Sequence, residues 1–293
     1  MYKAFFGFTE NPFNMSPDPS FLFRSVQHEE ALANLIYGVQ SRKGFVVLTG
    51  EVGTGKTTML ECLRDFLRSQ HIAYASLFNS RLTVQQFFEM IAYDFDLQCT
   101  RTSKTEVLFA LNEMIIESAN AGRTTVLIVD EAHNLDWDVL EEIRLLGNLE
   151  NRRGKMLQIL LAGQPELDRK LEAQEFRQLK QRIALRCVLQ PLKLEETVDY
   201  IQSRMTRAGL KDQTILPPEI LGEIHSRTQG IPRLINAMCD NLLLTAFALE
   251  SKTVTMAMVE EVASDMRLDR SGKRPSHADG KYARREEQYT PGH

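Results

Sequence analysis

Residues Gly50-Glu51-Val52-Gly53-Thr54-Gly55-Lys56-Thr57 place glycines, a lysine and a hydroxyl in the order that cradles a phosphate. The glycines let backbone N–H groups curl around an anion, and a helix starting behind them adds the positive end of its dipole. Lys56 can reach the outer phosphate oxygens of a nucleotide, the Thr57 hydroxyl can ligate Mg²⁺, and Thr58 carries the run into the helix. A second set of oxygens stands at Asp130-Glu131, at the end of the apolar run 124–129. Asp130 suits the water shell of Mg²⁺, and Glu131 suits a water attacking the terminal phosphate. Gln164, just past the apolar run 157–163, can contact that phosphate or water, and it can equally cap the next helix. His133 reads as a packing residue beside the site or as a member of it, and nothing marks it as a metal ligand.

Two arginines could complete such a site. Arg182, ahead of Arg177, lies where a side chain could enter a neighbouring subunit and neutralise charge on a transferred phosphoryl group, although single arginines are commonly solvated. Arg233 follows Gly230-Ile231-Pro232, so the proline opens a helix and sets Arg233 in its first turn. From there it could face a nucleotide across a crevice or form an internal ion pair.

These residues need strand tips and helix starts to hold them. The runs 45–48, 72–78, 124–129, 157–163 and 186–189 read as five strands alternating with amphipathic helices. That pattern predicts an α/β fold: an αβα sandwich around a mainly parallel sheet, with ligands at the carboxyl ends of the strands. Beyond Pro191 the pattern turns helical, over 195–208, 217–228, 232–250 and 255–266, predicting a small all-helical lid. The segment 1–26 holds Phe5, Phe6, Phe8, Phe13, Phe21 and Phe23 among prolines; it reads as an extended arm that wraps onto the core, part of it placed to cover a nucleotide base. The expected organisation is arm and first helix at 1–43, phosphate-binding core at 44–191, lid at 192–267 and a disordered tail at 268–293, where the chain is polar and mixed in charge.

A chain of 293 residues can bury a sizeable core without disulfides, and Cys62, Cys99, Cys187 and Cys239 lack the spacing of a zinc site, so they read as buried thiols in a reducing compartment. The net charge of −4 provides no general attraction to nucleic acid or anionic lipid. No apolar stretch approaches the roughly 18 to 20 residues of a membrane span, and the N-terminus lacks a signal-peptide pattern. A cytoplasmic protein is expected, able to attach peripherally at the inner membrane through a partner.

The ordered motifs resemble those of AAA+ ATPases, and closely the secretion ATPases of the general secretion pathway protein A type, including relatives beside exopolysaccharide and exosortase systems. The likeness is carried by Phe5-Phe6-Gly7-Phe8, Asn11-Pro12-Phe13, Pro17-Asp18-Pro19, the phosphate loop, Val129-Asp130-Glu131-Ala132-His133-Asn134-Leu135, Gly163-Gln164-Pro165-Glu166-Leu167, Leu179-Lys180-Gln181-Arg182-Ile183 and Gly230-Ile231-Pro232-Arg233-Leu234-Ile235-Asn236. The resemblance implies ATP and Mg²⁺ as cofactors, hydrolysis to ADP and phosphate, and a homo-oligomer with nucleotide at subunit boundaries. It also implies Gln164 as sensor 1, Arg233 as sensor 2, Arg182 as an arginine finger acting in trans, and an envelope secretion or polysaccharide export partner. The membrane-spanning helix and peptidoglycan-binding region of longer relatives are not found here, which favours coupling to export over direct cell-wall remodelling. A DNA-binding regulator of the transposition target-selection type shares the core and lid and is the alternative, although no basic helix-turn-helix follows the lid. A nucleotide-gated scaffold is a third reading, at odds with the two carboxylates.

Overall fold

A computed structural model describes residues 2–15, 21, 23, 25–78, 81–99, 103–151, 154–210 and 213–268. The Pro17-Asp18-Pro19 motif and the expected disordered tail beyond 268 lie outside the described residues. In chain order the elements are α1 (Tyr2–Phe6), α2 (Val26–Gln40), β1 (Phe45–Gly50), α3 (Lys56–Ser69), β2 (Ala73–Leu77), α4 (Val84–Asp94), α5 (Lys104–Asn120), β3 (Thr125–Val129) and α6 (Trp137–Leu146). They continue with the short hairpin β4 (Glu150–Asn151) and β5 (Gly154–Lys155), then β6 (Leu157–Gly163), α7 (Pro165–Glu172), α8 (Arg177–Lys180) and β7 (Ile183–Leu189). Four helices follow: α9 (Leu194–Arg207), α10 (Pro218–Thr228), α11 (Pro232–Ala248) and α12 (Met256–Asp265).

Among the described residues the main sheet has five strands in the order β2-β3-β6-β1-β7, all paired parallel. β1, β3 and β6 are buried along their whole length. Successive residues of β1 serve opposite layers: Phe45 and Val47 pack with α4 to α7, whereas Val46 and Leu48 pack against α2 and α3. This two-sided burial is why the strands read as unbroken apolar runs. β7, at an edge, alternates exposed and buried side chains. The sequence pattern placed this strand at 186–189; it starts earlier, because the chain leaves α8 after Lys180 and Ile183 already pairs with Phe45. The four-residue α8 is too short to sustain a longer helix, and β-branched Ile183 gains more as a ladder partner.

A separate apolar cluster joins α9 to α12, and the arm belongs to it. Phe6, Phe8 and Phe13 pack against lid residues including Ile201, Leu242 and Leu243, so the arm wraps onto the lid rather than onto the sheet layers. Its start is helical, contrary to the extended segment expected from its prolines, because Tyr2 and Phe6 lie one turn apart and both bury on the lid. The Tyr2 hydroxyl bonds Asp240 on α11. Cys187 and Cys239 are buried, but Cys62 and Cys99 are partly exposed, a correction to four buried thiols. Among the described residues no helix is long and apolar enough to cross a membrane.

Candidate nucleotide site

Strand order assembles the site. β6 lies between β1 and β3, so Gln164 at its tip stands between the phosphate loop and Asp130-Glu131. The loop's shape depends on its glycines: Gly53 and Gly55 have φ of +87° and +105°, which other L-residues resist. A Cβ at Gly50 would lie 2.7 Å from the carbonyl oxygen of Leu189. Lys56 opens α3, buried, and its Nζ donates to the carbonyls of Gly50 at 2.7 Å and Glu51 at 3.0 Å. Burial pulls its pKa down, while the carboxylates of Glu131 and Asp130 pull it back up.

Asp130 is buried, and its Oδ1 accepts the Glu131 backbone N–H at 2.8 Å. Burial raises its pKa, opposed by that N–H. Glu131 sits in left-handed backbone, φ 52°, which turns its half-exposed carboxylate out of the strand line. Gln164 precedes α7 as its N-cap residue, yet its side chain makes no capping bond; Nε2 reaches Glu131 Oε2 at 3.4 Å instead. His133 joins this cluster: Nδ1 lies 3.4 Å from Glu131 Oε2 and accepts the Gln164 backbone N–H at 3.4 Å.

The lid closes the other side. Gly230, φ +70°, is pressed so tightly onto the chain before α9 that a Cβ would lie 1.9 Å from the Leu192 carbonyl oxygen. That contact sets the start of α11 against the phosphate loop, where the Arg233 N–H donates to the Gly53 carbonyl at 3.2 Å. A cleft of about 360 Å³ runs between them, lined by the loop through Thr57 and Thr58, by Glu131, by Arg233, and by Asn14, Met15, Phe21 and Phe23 of the arm. Asp130 and Gln164 are not part of this lining; each adjoins it through Glu131. Arg182 is not brought to the cleft of its own chain: it precedes β7 at the opposite end of the sheet, donating to Asn148 Oδ1 at 2.5 Å and to the Arg144 carbonyl.

Several contributors carried no sequence signal. His28, buried in the first turn of α2, contacts the Thr54 carbonyl at 3.1 Å through Nε2 and the Ser25 hydroxyl at 2.7 Å through Nδ1. A carbonyl only accepts, so Nε2 carries a proton, and burial lowers the ring's pKa, favouring its neutral form. Asp168 accepts from Thr49 and Arg186 at 2.6 and 2.7 Å, and Lys170 donates to the carbonyls of His133 and Leu135, so α7 holds both β1 and the loop after Glu131. Such long-range contacts leave no local pattern to read.

The residues fit a nucleotide's phosphates, because the left-handed glycine loop, buried lysine and helix start form an anion cradle that side chains would fill. Thr57 and Asp130 offer hard oxygen donors, as Mg²⁺ requires. Fold and cleft together define a P-loop protein of the AAA+ class.

The AAA domain family matches residues 39–171. General secretion pathway protein A of Aeromonas hydrophila is 43% identical over 256 residues, covering 87% of this chain and 46% of its own. The chain thus spans about half the length of that relative. Similar folds include Cdc6p from Pyrobaculum aerophilum, with a TM-score of 0.69 and 18% identity over 88% of this chain and 71% of that one. Drosophila ORC bound to DNA has a TM-score of 0.66 and 20% identity, over 88% and 65% of the two chains. Thermotoga maritima RuvB has a TM-score of 0.60 and 15% identity, over 91% and 76%. The chain belongs to the AAA+ ATPases of the general secretion pathway protein A family.

Proposed function

We propose that the protein is an Mg²⁺-dependent ATPase that hydrolyses ATP to ADP and phosphate and drives assembly or operation of a bacterial secretion or exopolysaccharide export system. The observation that carries this is the meeting of Lys56, Asp130, Glu131 and Gln164 at neighbouring strand tips, with Arg233 across the cleft. In this reading residues 44–191 are the ATPase core, 192–267 the lid, and 1–43 an arm that closes the cleft.

Residues 50–58 bind the phosphates through the loop backbone, Lys56 and the first turn of α3, while Thr57 and Asp130 hold Mg²⁺. When bound, Mg²⁺ neutralises charge on the phosphate oxygens. Glu131 orients the attacking water and takes its proton; Gln164 holds its carboxylate through Nε2 until the terminal phosphate draws Gln164 away. Arg233 answers the nucleotide from the lid, and Arg182 serves the neighbouring subunit's site in a homo-oligomer.

The export role is supported by the relation to general secretion pathway protein A. A cytoplasmic location, with attachment to the inner membrane through a partner, follows from that role. DNA binding rests on fold likeness alone, and a salt-dependent, ATP-dependent gel shift tests it. Phosphate release by purified variants tests the ATPase: Lys56→Ala loses nucleotide binding, and Glu131→Gln binds ATP but turns over about 10²-fold or more slowly. Rates equal to wild type in both variants overturn the reading.

A further inference from the structure

On the lid side of the cleft a buried polar chain runs in one direction. Tyr200 and Arg204 lie one turn apart on α9, and Asn236 meets them from α11, one turn beyond Arg233. Arg204 Nη1 donates to the Tyr200 hydroxyl at 2.9 Å, and that hydroxyl donates to Asn236 Oδ1 at 2.8 Å. The three residues are only 5–7% exposed, and all three line the cleft.

The direction is forced. A guanidinium only donates, so the tyrosine oxygen must accept from it and can spend its single proton only on another acceptor. Burial pushes the Tyr200 pKa up, so that proton stays in place at neutral pH. The amide of Asn236 is thereby held with its oxygen occupied and its N–H₂ as the group left for the cleft. Among the described residues nothing accepts from that nitrogen. Arg204 is itself locked, donating to the carbonyls of Pro12 and Asn14 and lying 4.8 Å over the Phe21 ring, while Phe23 packs edge-on against Tyr200. The result is a pocket with aromatic walls and one fixed donor, suited to a planar heterocycle that presents an acceptor.

Resting on the nucleotide reading above, we infer that Asn236 sets base specificity. Its N–H₂ donates to the ring-nitrogen acceptor of adenine at the position where guanine carries an N–H, so a guanine base would face donor with donor. Tyr200 and Arg204 act through Asn236 as positioning residues. No local pattern points to this, because the amide's orientation is decided by a residue on another helix.

Direct titration of the full-length protein with fluorescently labelled ATP and GTP tests it. Wild type prefers ATP by about tenfold or more, the scale of a polar mismatch in a buried site. Asn236→Asp replaces the donor by an acceptor and lowers the ATP-to-GTP preference by about tenfold. Tyr200→Phe keeps the ring but frees the amide to turn, and it relaxes the preference several-fold with circular dichroism unchanged. If both variants keep the wild-type ratio, or lose affinity for both nucleotides equally as a ribose contact would, Asn236 does not read the base. If wild type binds neither nucleotide, the nucleotide reading itself fails. If it binds both, Lys56→Ala abolishes both and the ratio is insensitive to position 236, only this inference falls.

Discussion

Lys56 and Asp130 are both withdrawn from water, and burial moves each toward its neutral form while each supplies charge that holds the other ionised. A bound cation and phosphates would replace that mutual support with stronger partners. His28 sits beneath the same loop with burial favouring its neutral form, and it makes a test at this scale. Its folded pKa lies below the ordinary value, so the unfolded chain binds the proton more readily. The stability it contributes is complete above about pH 6.5 and is lost as pH falls through the folded value. Asp130, with its pKa raised, works in the opposite sense at lower pH, so the comparison must be with a variant. Thermal melts between pH 8 and pH 5 should show wild type losing more stability than His28→Gln; parallel curves would remove His28 from the account. None of this could be read from the sequence, where His28 is one histidine near the start of a helix and Thr54 lies in a distant loop. Lys56 and Thr57 were legible because their roles follow from neighbours in the chain.

At the scale of elements, the junction between the phosphate loop and α11 couples nucleotide to lid. A Cβ at Gly53 would come within 2.6 Å of the Arg233 Cβ, and the loop there needs left-handed backbone. Gly53→Ala therefore combines strain of about 1–3 kcal/mol with a displaced lid helix. The expected outcome is weaker ATP binding by about tenfold with the sheet layers still folded; calorimetric titration showing wild-type affinity would mean that loop and lid are not coupled here. The lid's helices and α11's start were legible from Gly230 and Pro232, which punctuate the chain locally. That the arm packs on this lid was not, because Phe6, Phe8 and Phe13 announce only that they must be buried, and their partners lie from Leu192 onward.

For the whole molecule, the role proposed for Arg182 makes the site incomplete in one chain. This arginine stands at the end of the sheet opposite the loop, anchored to Asn148. Mixing two inactive variants tests action in trans. Lys56→Ala retains Arg182 but has no nucleotide, and Arg182→Ala binds ATP but lacks the arginine. Arg182→Ala alone should turn over about 10³-fold more slowly, in the range found for arginine fingers. Phosphate release by the mixture should exceed the sum of the separate rates, whereas strictly additive rates would place the arginine's effect within its own chain.

The sequence by itself determined what is local or periodic: the phosphate loop, the carboxylates at the end of a strand, the parallel α/β core and the helical lid. Glycine geometry, helix starts and side-chain alternation act over a few residues, so their signals survive in the chain. Only the tertiary structure decided which tips became neighbours, because β6 inserts between β1 and β3 through contacts distant in sequence. It also sent Arg182 away from its own cleft, laid the arm on the lid and fixed the Asn236 amide oxygen on the Tyr200 hydroxyl. Each of these depends on a partner from another element, and hydrogen-bond direction and burial exist only once both are in place.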